Sequence, residues 1–228
     1  MKKILFALLP LFFVISAFGG EISKKYDFKD FTGVSASHGM NLKITQSDSY
    51  YIEVKADERD FEVLKVEKDG DELKFYITKN NYRPKYEIEI TISMPALTGL
   101  QLSGGAMGNF TMDVSSRSFD LGLSGGSEVE GELKCSDINL QLSGGSQVSL
   151  DGKGKNVALA GSGGSIFDMK DFSVKDVNAQ LSGGSHVSVR MNGTLNTAQS
   201  GGSEITYYGN VDLGNTSFSG GSGIHKGE

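Results

Sequence analysis

Apolar and polar residues alternate along most of this chain, and pairs of glycines punctuate the alternation. A representative stretch reads Leu140-Gln141-Leu142-Ser143-Gly144-Gly145-Ser146-Gln147-Val148-Ser149-Leu150. Period two on either side of the glycines predicts two strands, each with one buried face. The glycine pair predicts a sharp corner between them, because glycine reaches positive φ without steric cost. Ser-Gly-Gly recurs at Ser103, Ser124, Ser143, Ser162, Ser182, Ser200 and Ser219, at spacings of 21, 19, 19, 20, 18 and 19 residues. Self-similarity at this period predicts a stack of coils. A second serine closes every copy but the first, at Ser127, Ser146, Ser165, Ser185, Ser203 and Ser222, whereas the first copy has Ala106.

Aligned on the corner, the copies give apolar columns. One holds Val129, Val148, Phe167, Val187, Ile205 and Ile224. A second holds Leu102, Leu123, Leu142, Leu181 and Phe218, broken by Gly161 and Gln199. A third starts Leu100, Leu121, Leu140, Leu159 and fades to Ala179, Thr197 and Thr216. A coil of this length lacks room for a full helix and shows no helical period. The reading is all-β: a parallel β-helix, or solenoid, of about seven Ser-Gly-Gly coils over residues 99–228.

Residues 20–98 differ, with most of the charge and few glycines. Alternation predicts strands at 41–46 and 50–55, and a hairpin of 63–68 with 73–78 around Asp69-Gly70. A short helical turn is expected at 57–61, and Ile88, Ile90 and Ile92 mark a strand that Pro95 ends. This segment reads as a mainly antiparallel β module that caps the first coil, since an open stack of strands needs a covered end. Residues 1–19 read as a signal peptide: Lys2 and Lys3, an apolar run from Ile4 to Ile15, then small residues for cleavage.

Losing Lys2 and Lys3 with the leader takes the formal charge from −6 to −8, which argues against nucleic acid and anionic membrane surfaces as partners. Cys135 is the only cysteine, so no intrachain disulfide forms, and a buried thiol is expected.

The strands around Val34 to Gln46, and Ile88-Glu89-Ile90-Thr91-Ile92-Ser93-Met94-Pro95-Ala96-Leu97 running into Leu100-Gln101-Leu102-Ser103-Gly104-Gly105, together with the leader, resemble the head-GIN-domain family of bacterial auto-transporter adhesins. The resemblance spans roughly residues 30–225. It implies an exported β-helical protein with an adhesin-like role.

The residues themselves single out no catalytic, cofactor-binding or metal-binding site. Strands rather than helices follow the glycine pairs, so these are not phosphate loops. Glu128, Glu204 and Asp168 are too sporadic for calcium-binding repeats. His38, His186 and His225 lack ligand spacing. Glycoside hydrolysis needs two placed carboxylates. Asp113, Asp120, Glu130, Glu132, Asp151 and Asp171 share no repeated register, and Tyr207-Tyr208 is the nearest thing to a sugar platform in a chain without tryptophan. The serines at the corners suggest hydroxyl ladders, serving either a polar binding face or the turn backbone.

The leading reading is an exported, non-catalytic binding and adhesion protein of the cell envelope: periplasmic, surface-exposed or secreted. Its partner would be a glycan or an envelope protein, and its ends are open to end-to-end association. A structural or signalling protein with only protein partners is the alternative, and a carbohydrate-active enzyme the third. A groove of converging acids or aromatics would favour sugar chemistry, and a uniform Ser/Gln face passive binding.

Overall fold

The computed structural model describes residues 14–16, 21–115 and 117–228. The expected signal peptide therefore lies outside the described residues, apart from strand β1 (Val14–Ser16). The capping region continues with β2 (Glu21–Lys25), β3 (Gly33–Ala36), β4 (Asn41–Gln46), β5 (Tyr51–Asp57), a 3-10 turn at Asp60–Glu62, β6 (Leu64–Asp69), β7 (Glu72–Ile77) and β8 (Glu89–Met94). The repeats supply strand pairs on either side of each corner: β9 (Gly99–Ser103) with β10 (Met107–Val114), β11 (Phe119–Ser124) with β12 (Glu128–Cys135), and β13 (Asp137–Leu142) with β14 (Gln147–Lys153). They continue with β15 (Asn156–Gly161) and β16 (Ile166–Val174), β17 (Asp176–Leu181) and β18 (His186–Met191), β19 (Gly193–Gln199) and β20 (Glu204–Tyr208), and finally β21 (Val211–Phe218) and β22 (Gly223–Lys226).

These strands build two sheets that face each other across a single core. The first, sheet A, runs β1-β2-β5-β8-β4-β10-β12-β14-β16-β18-β20-β22. The second, sheet B, runs β21-β19-β17-β15-β13-β11-β9-β3-β7-β6. Every pair from β9 onward is parallel, and the matching columns stack: Val129 against Val148, Phe167 against Val187, Leu121 against Leu140. Seven corners thus bound six complete turns of the solenoid. Burying each aliphatic side chain contributes about 1.5–3 kcal/mol before chain entropy is counted.

The breaks in the columns are packing compensations. Phe167 stands among valines because Gly161 opposite it has no side chain: a Cβ there would lie 2.8 Å from the Phe167 ring and 2.9 Å from Leu181. Phe110 likewise fills the space over Gly131, whose Cβ would approach its ring to 2.6 Å. The extra residue between Ser162 and Ser182 is absorbed where the β14–β16 register shifts between Ser149 and Gly152.

The antiparallel pairings lie at the expected end. Strands β1, β2 and β5 extend sheet A from β8, and β6 pairs β7 at the edge of sheet B. Between this cap and the repeats, the segment also supplies two coils in parallel register. Strand β4 lies between β8 and β10, and β3 between β7 and β9. The β3–β4 corner is Ser37-His38-Gly39-Met40, with His38 at φ 62° and Gly39 at φ 69°. It is a Ser-Gly-Gly corner with histidine in the first glycine's place, and Gly39 N–H donates to Gly104 O at 3.0 Å.

The corners come in two forms. In the first two repeats both glycines have positive φ: Gly104 at 61° and Gly105 at 77°, Gly125 at 64° and Gly126 at 79°. From Gly144 onward only the first glycine does, as in type II′ turns. This second form swings the peptide between the glycines onto the stacking axis. Gly164, Gly184, Gly202 and Gly221 N–H then donate to the first glycine's carbonyl one coil back, at 2.7–2.8 Å. The sheet ladder therefore continues around the corner. The closing serines are buried, apart from half-buried Ser222, and each donates its hydroxyl to the carbonyl of the serine that opened the same corner, at 2.7–3.0 Å. The hydroxyls thus mainly satisfy turn backbone, while glycine amides bond coil to coil; of the corner hydroxyls, those of Ser182 and Ser222 also reach a carbonyl one coil back, at 3.5 and 3.4 Å. In the first copy the Ala106 amide reaches Ser103 O at 3.3 Å, so alanine is tolerated.

The cap holds one incompletely satisfied buried carboxyl group. Asp60 is fully buried, Tyr82 Oη donates to its Oδ1 at 2.6 Å, and Oδ2 has no partner among the described residues. That bond, and then burial, raises the Tyr82 hydroxyl above its ordinary pKa. Tyr82→Phe should destabilise the fold by about 1–3 kcal/mol, because it strips a buried carboxylate of its side-chain donor. Urea titration checks this; an unchanged midpoint would mean that Asp60 gains nothing from Tyr82.

Candidate binding groove on sheet B

The two outer faces differ in charge. Sheet A carries Glu128, Glu130 and Glu132 in a row along β12, with Asp113 and Asp151 on the strands beside it. Ser115 hydroxyl and amide, and then Lys134, hold the Asp113 carboxyl below its usual range. Glu132 and Asp151 are rung neighbours, both exposed on the outer face of sheet A. Asp171 lies exposed on β16, and Asp120 on sheet B outside the groove described next.

That groove, of about 900 Å³, runs along sheet B from Lys74 and Ser35 to Ser217. It crosses β7, β3 and every sheet B strand from β9 to β21, about 38 Å at the ~4.8 Å spacing of strands. One wall is the row of corner-opening serines, Ser103, Ser124, Ser143, Ser162, Ser182 and Ser200, all half-buried. Beside it the outward row reads, rung by rung, Gln101, Gly122, Gln141, Ala160, Gln180, Ala198, Ser217. Long amides alternate with small residues. Lys74 next to Ser35 continues the alternation towards the cap, and Lys74 is held by Asp69 at 2.8 Å and Glu72 at 3.5 Å. The lining contains no Asp or Glu.

The alternation has a chemical consequence. Two pairs of polar side chains on successive rungs of sheet B bond each other: Asn196 to Asn178 at 3.0 Å, Asn156 to Asp137 at 2.6 Å. Gln101, Gln141 and Gln180 each have a small neighbour instead, and among the described residues none of their amides has a protein hydrogen-bond partner. The bare rung also gives the amide room, since Gln101 lies across Gly122, where a Cβ would overlap it. Gln199 belongs to the other class. It is buried in the leucine column and, with its amide turned to satisfy it, donates to Ser203 O and Gly223 O at 3.1 Å.

The histidines take two roles. His38 makes the cap-side corner, its Nδ1 2.7 Å from Ser37 Oγ. His186 and His225, distant in sequence, converge on Glu204, with Nε2 3.7 Å from one carboxylate oxygen and 3.1 Å from the other. The stacking of coils, not sequence spacing, brings His186 and His225 together. His186 and His225 are exposed and Glu204 is half-buried, all on sheet A. Cys135 is buried, and that burial, followed by the nearby Asp137, pushes its thiol up to about 12.

The glutamine row was within reach of the sequence. Reading the residue two places before each Ser-Gly-Gly gives the alternation directly, although the columns one and three places before it are the ones that announce a core.

The fold is thus a two-sheet β-solenoid with a capped end and, along one face, a polar groove whose lining holds Lys74 and no carboxylate. Residues 30–211 match the family described as "Putative auto-transporter adhesin, head GIN domain", and the chain belongs to that family. None of the curated proteins matches it. Among solved structures it is similar to a putative adhesin from Bacteroides fragilis, with 21% identity, 90% of this chain and 96% of that one covered, and a TM-score of 0.82. A putative lipid binding protein from Parabacteroides distasonis shares 18% identity over 94% of this chain and 99% of its own, at a TM-score of 0.72. A putative adhesin from Parabacteroides merdae shares 15% identity over 94% and 99%, at 0.70. At these identities the likeness is one of fold.

Proposed function

We infer that this is an exported, non-catalytic binding module of the adhesion type, working through the groove on sheet B. The observation that carries this reading is the row of unpartnered glutamine amides, set at regular intervals on a rigid surface the length of the solenoid. Long solenoid faces suit extended ligands. The family's description as an auto-transporter adhesin supports the reading, as do the basic start and apolar run of the leader. The lining lacks the paired carboxylates that glycoside hydrolysis needs, so the groove is read as holding its ligand rather than turning it over. Of the two faces the sequence left open, the groove has the Ser/Gln character of a passive binder.

The test is attachment. Beads coated with the protein should be retained on at least one of three surfaces: mucin, extracellular matrix, or bacterial envelopes. Ala160→Arg with Ala198→Arg, which fills two bare rungs with charge, should abolish retention at an unchanged melting temperature. Retention that survives this change would move the binding surface elsewhere, and no retention on any surface would end the adhesion reading.

A further inference from the structure

We propose that the groove takes a linear, uncharged polysaccharide, with each two-sugar unit spanning two rungs of the solenoid. The proposal rests on the reading of the groove as the binding surface and adds the class of ligand.

Three observations converge on it. The first is the repeat. Gln101, Gln141 and Gln180 stand on every second rung, about 9.6 Å apart at the ordinary spacing of strands. This is close to the length of two sugars in an extended β-1,4-linked chain. Ala160 and Ala198 leave a gap beside Gln141 and Gln180, while Gln101 lies over the Gly122 rung; a sugar ring is the size of unit that such a gap admits.

The second is the chemistry of the lining. A primary amide donates and accepts without carrying charge, and so does a serine hydroxyl. The groove offers an amide on alternate rungs and a hydroxyl on every rung from Ser103 to Ser200. Sugar hydroxyls have the same dual character, so each contact finds a partner in either direction. An acidic polymer would meet a single cation, Lys74, which Asp69 and Glu72 already hold. An acyl chain would cover the amides and leave them without hydrogen bonds, an unfavourable exchange.

The third is preorganisation. The glutamines project from strands whose register is fixed on both sides, and the small rungs keep their amides from bonding one another. Little ordering remains for the ligand to impose, which favours affinity.

The experiment uses native-gel affinity electrophoresis of the full protein in soluble β-glucan, xyloglucan and galactomannan. Polygalacturonate serves as the charged comparison, and flotation with phosphatidylcholine vesicles as the lipid one. At least one neutral polysaccharide should retard the protein, while polygalacturonate and vesicles leave it free. Titration with oligosaccharides of that polymer should show affinity rising with length to about eight sugars, the number that about 38 Å of groove accommodates. Gln141→Ala and Gln180→Ala should each weaken binding roughly three- to tenfold, the worth of a hydrogen bond. Ala160→Gln is the sharper variant. It makes three successive glutamines, whose amides then bond each other, so binding should fall at least as far while the melting temperature holds or rises. Failure of every neutral polysaccharide, equal binding of polygalacturonate, groove-dependent capture of vesicles, or indifference to Ala160→Gln would each overturn the proposal. If the coated beads still adhere in a groove-dependent way while neutral polysaccharides fail, the ligand class is wrong and the binding surface stands; if both fail, both readings fall.

Discussion

Gly163→Val should be among the most damaging single substitutions in the chain, lowering stability by about 2–5 kcal/mol. Two effects add. Gly163 sits at φ 72°, where a branched side chain costs about 1–2 kcal/mol. Its Cβ would also lie 2.7 Å from the Gly144 carbonyl oxygen, a backbone atom that cannot give way, and overpacking of this kind costs a further 1–3 kcal/mol or so. The adjacent glycine behaves differently. Gly164 does not have positive φ, and a Cβ there would be 3.9 Å from its nearest neighbour. Gly164→Ala should therefore be neutral or stabilise by about 0.4–1 kcal/mol, because alanine restricts the unfolded chain. Gly126→Ala, at the same place in an earlier corner but with φ 79°, should destabilise by about 1 kcal/mol. Urea unfolding of the three variants checks the switch between corner types. Equal effects of Gly126→Ala and Gly164→Ala would show that there is no switch.

The second large effect concerns the core. Gly161→Leu puts a side chain where the Phe167 ring and Leu181 already lie, and should destabilise by at least about 1–3 kcal/mol. Phe167→Val alone leaves a void opposite Gly161 and should lose about 2–3 kcal/mol. Together they restore the leucine and valine that Leu142 and Val148 supply one coil earlier. The double variant should be more stable than either single one, with a coupling of about 0.5–3 kcal/mol. Additive losses would mean that the two positions do not share one space.

Much of this was legible in the sequence. The corners, the three columns and the cap follow from alternation and glycine placement, and Ile88, Ile90 and Ile92 are buried as their spacing required. What escaped has physical reasons. Ser37-His38-Gly39 has one glycine, and a histidine at positive φ is rare enough that no pattern search would equate it with Ser-Gly-Gly. The parallel pairing of β3 with β9 joins residues more than sixty apart, and pairing across that distance leaves no local trace. Gly161 and Phe167 look like separate breaks in separate columns until the two sheets are laid face to face. His186, Glu204 and His225 meet because coils stack, not because their spacing marks a site. The groove was half visible: serines and glutamines were evident, but the absence of partners for the amides belongs to three dimensions.

The most direct test of the groove as the working face is tethering by orientation. Cys135 is buried, with its thiol pushed up to about 12, so a cysteine added on the surface is the one that reacts. Glu130→Cys attaches the protein to a bead by sheet A and leaves the groove outward; Gln141→Cys attaches it through the groove. Retention on the surface that holds the wild-type beads should persist for the first and disappear for the second. Equal retention, or loss only with the Glu130→Cys tether, would contradict the assignment of binding to sheet B.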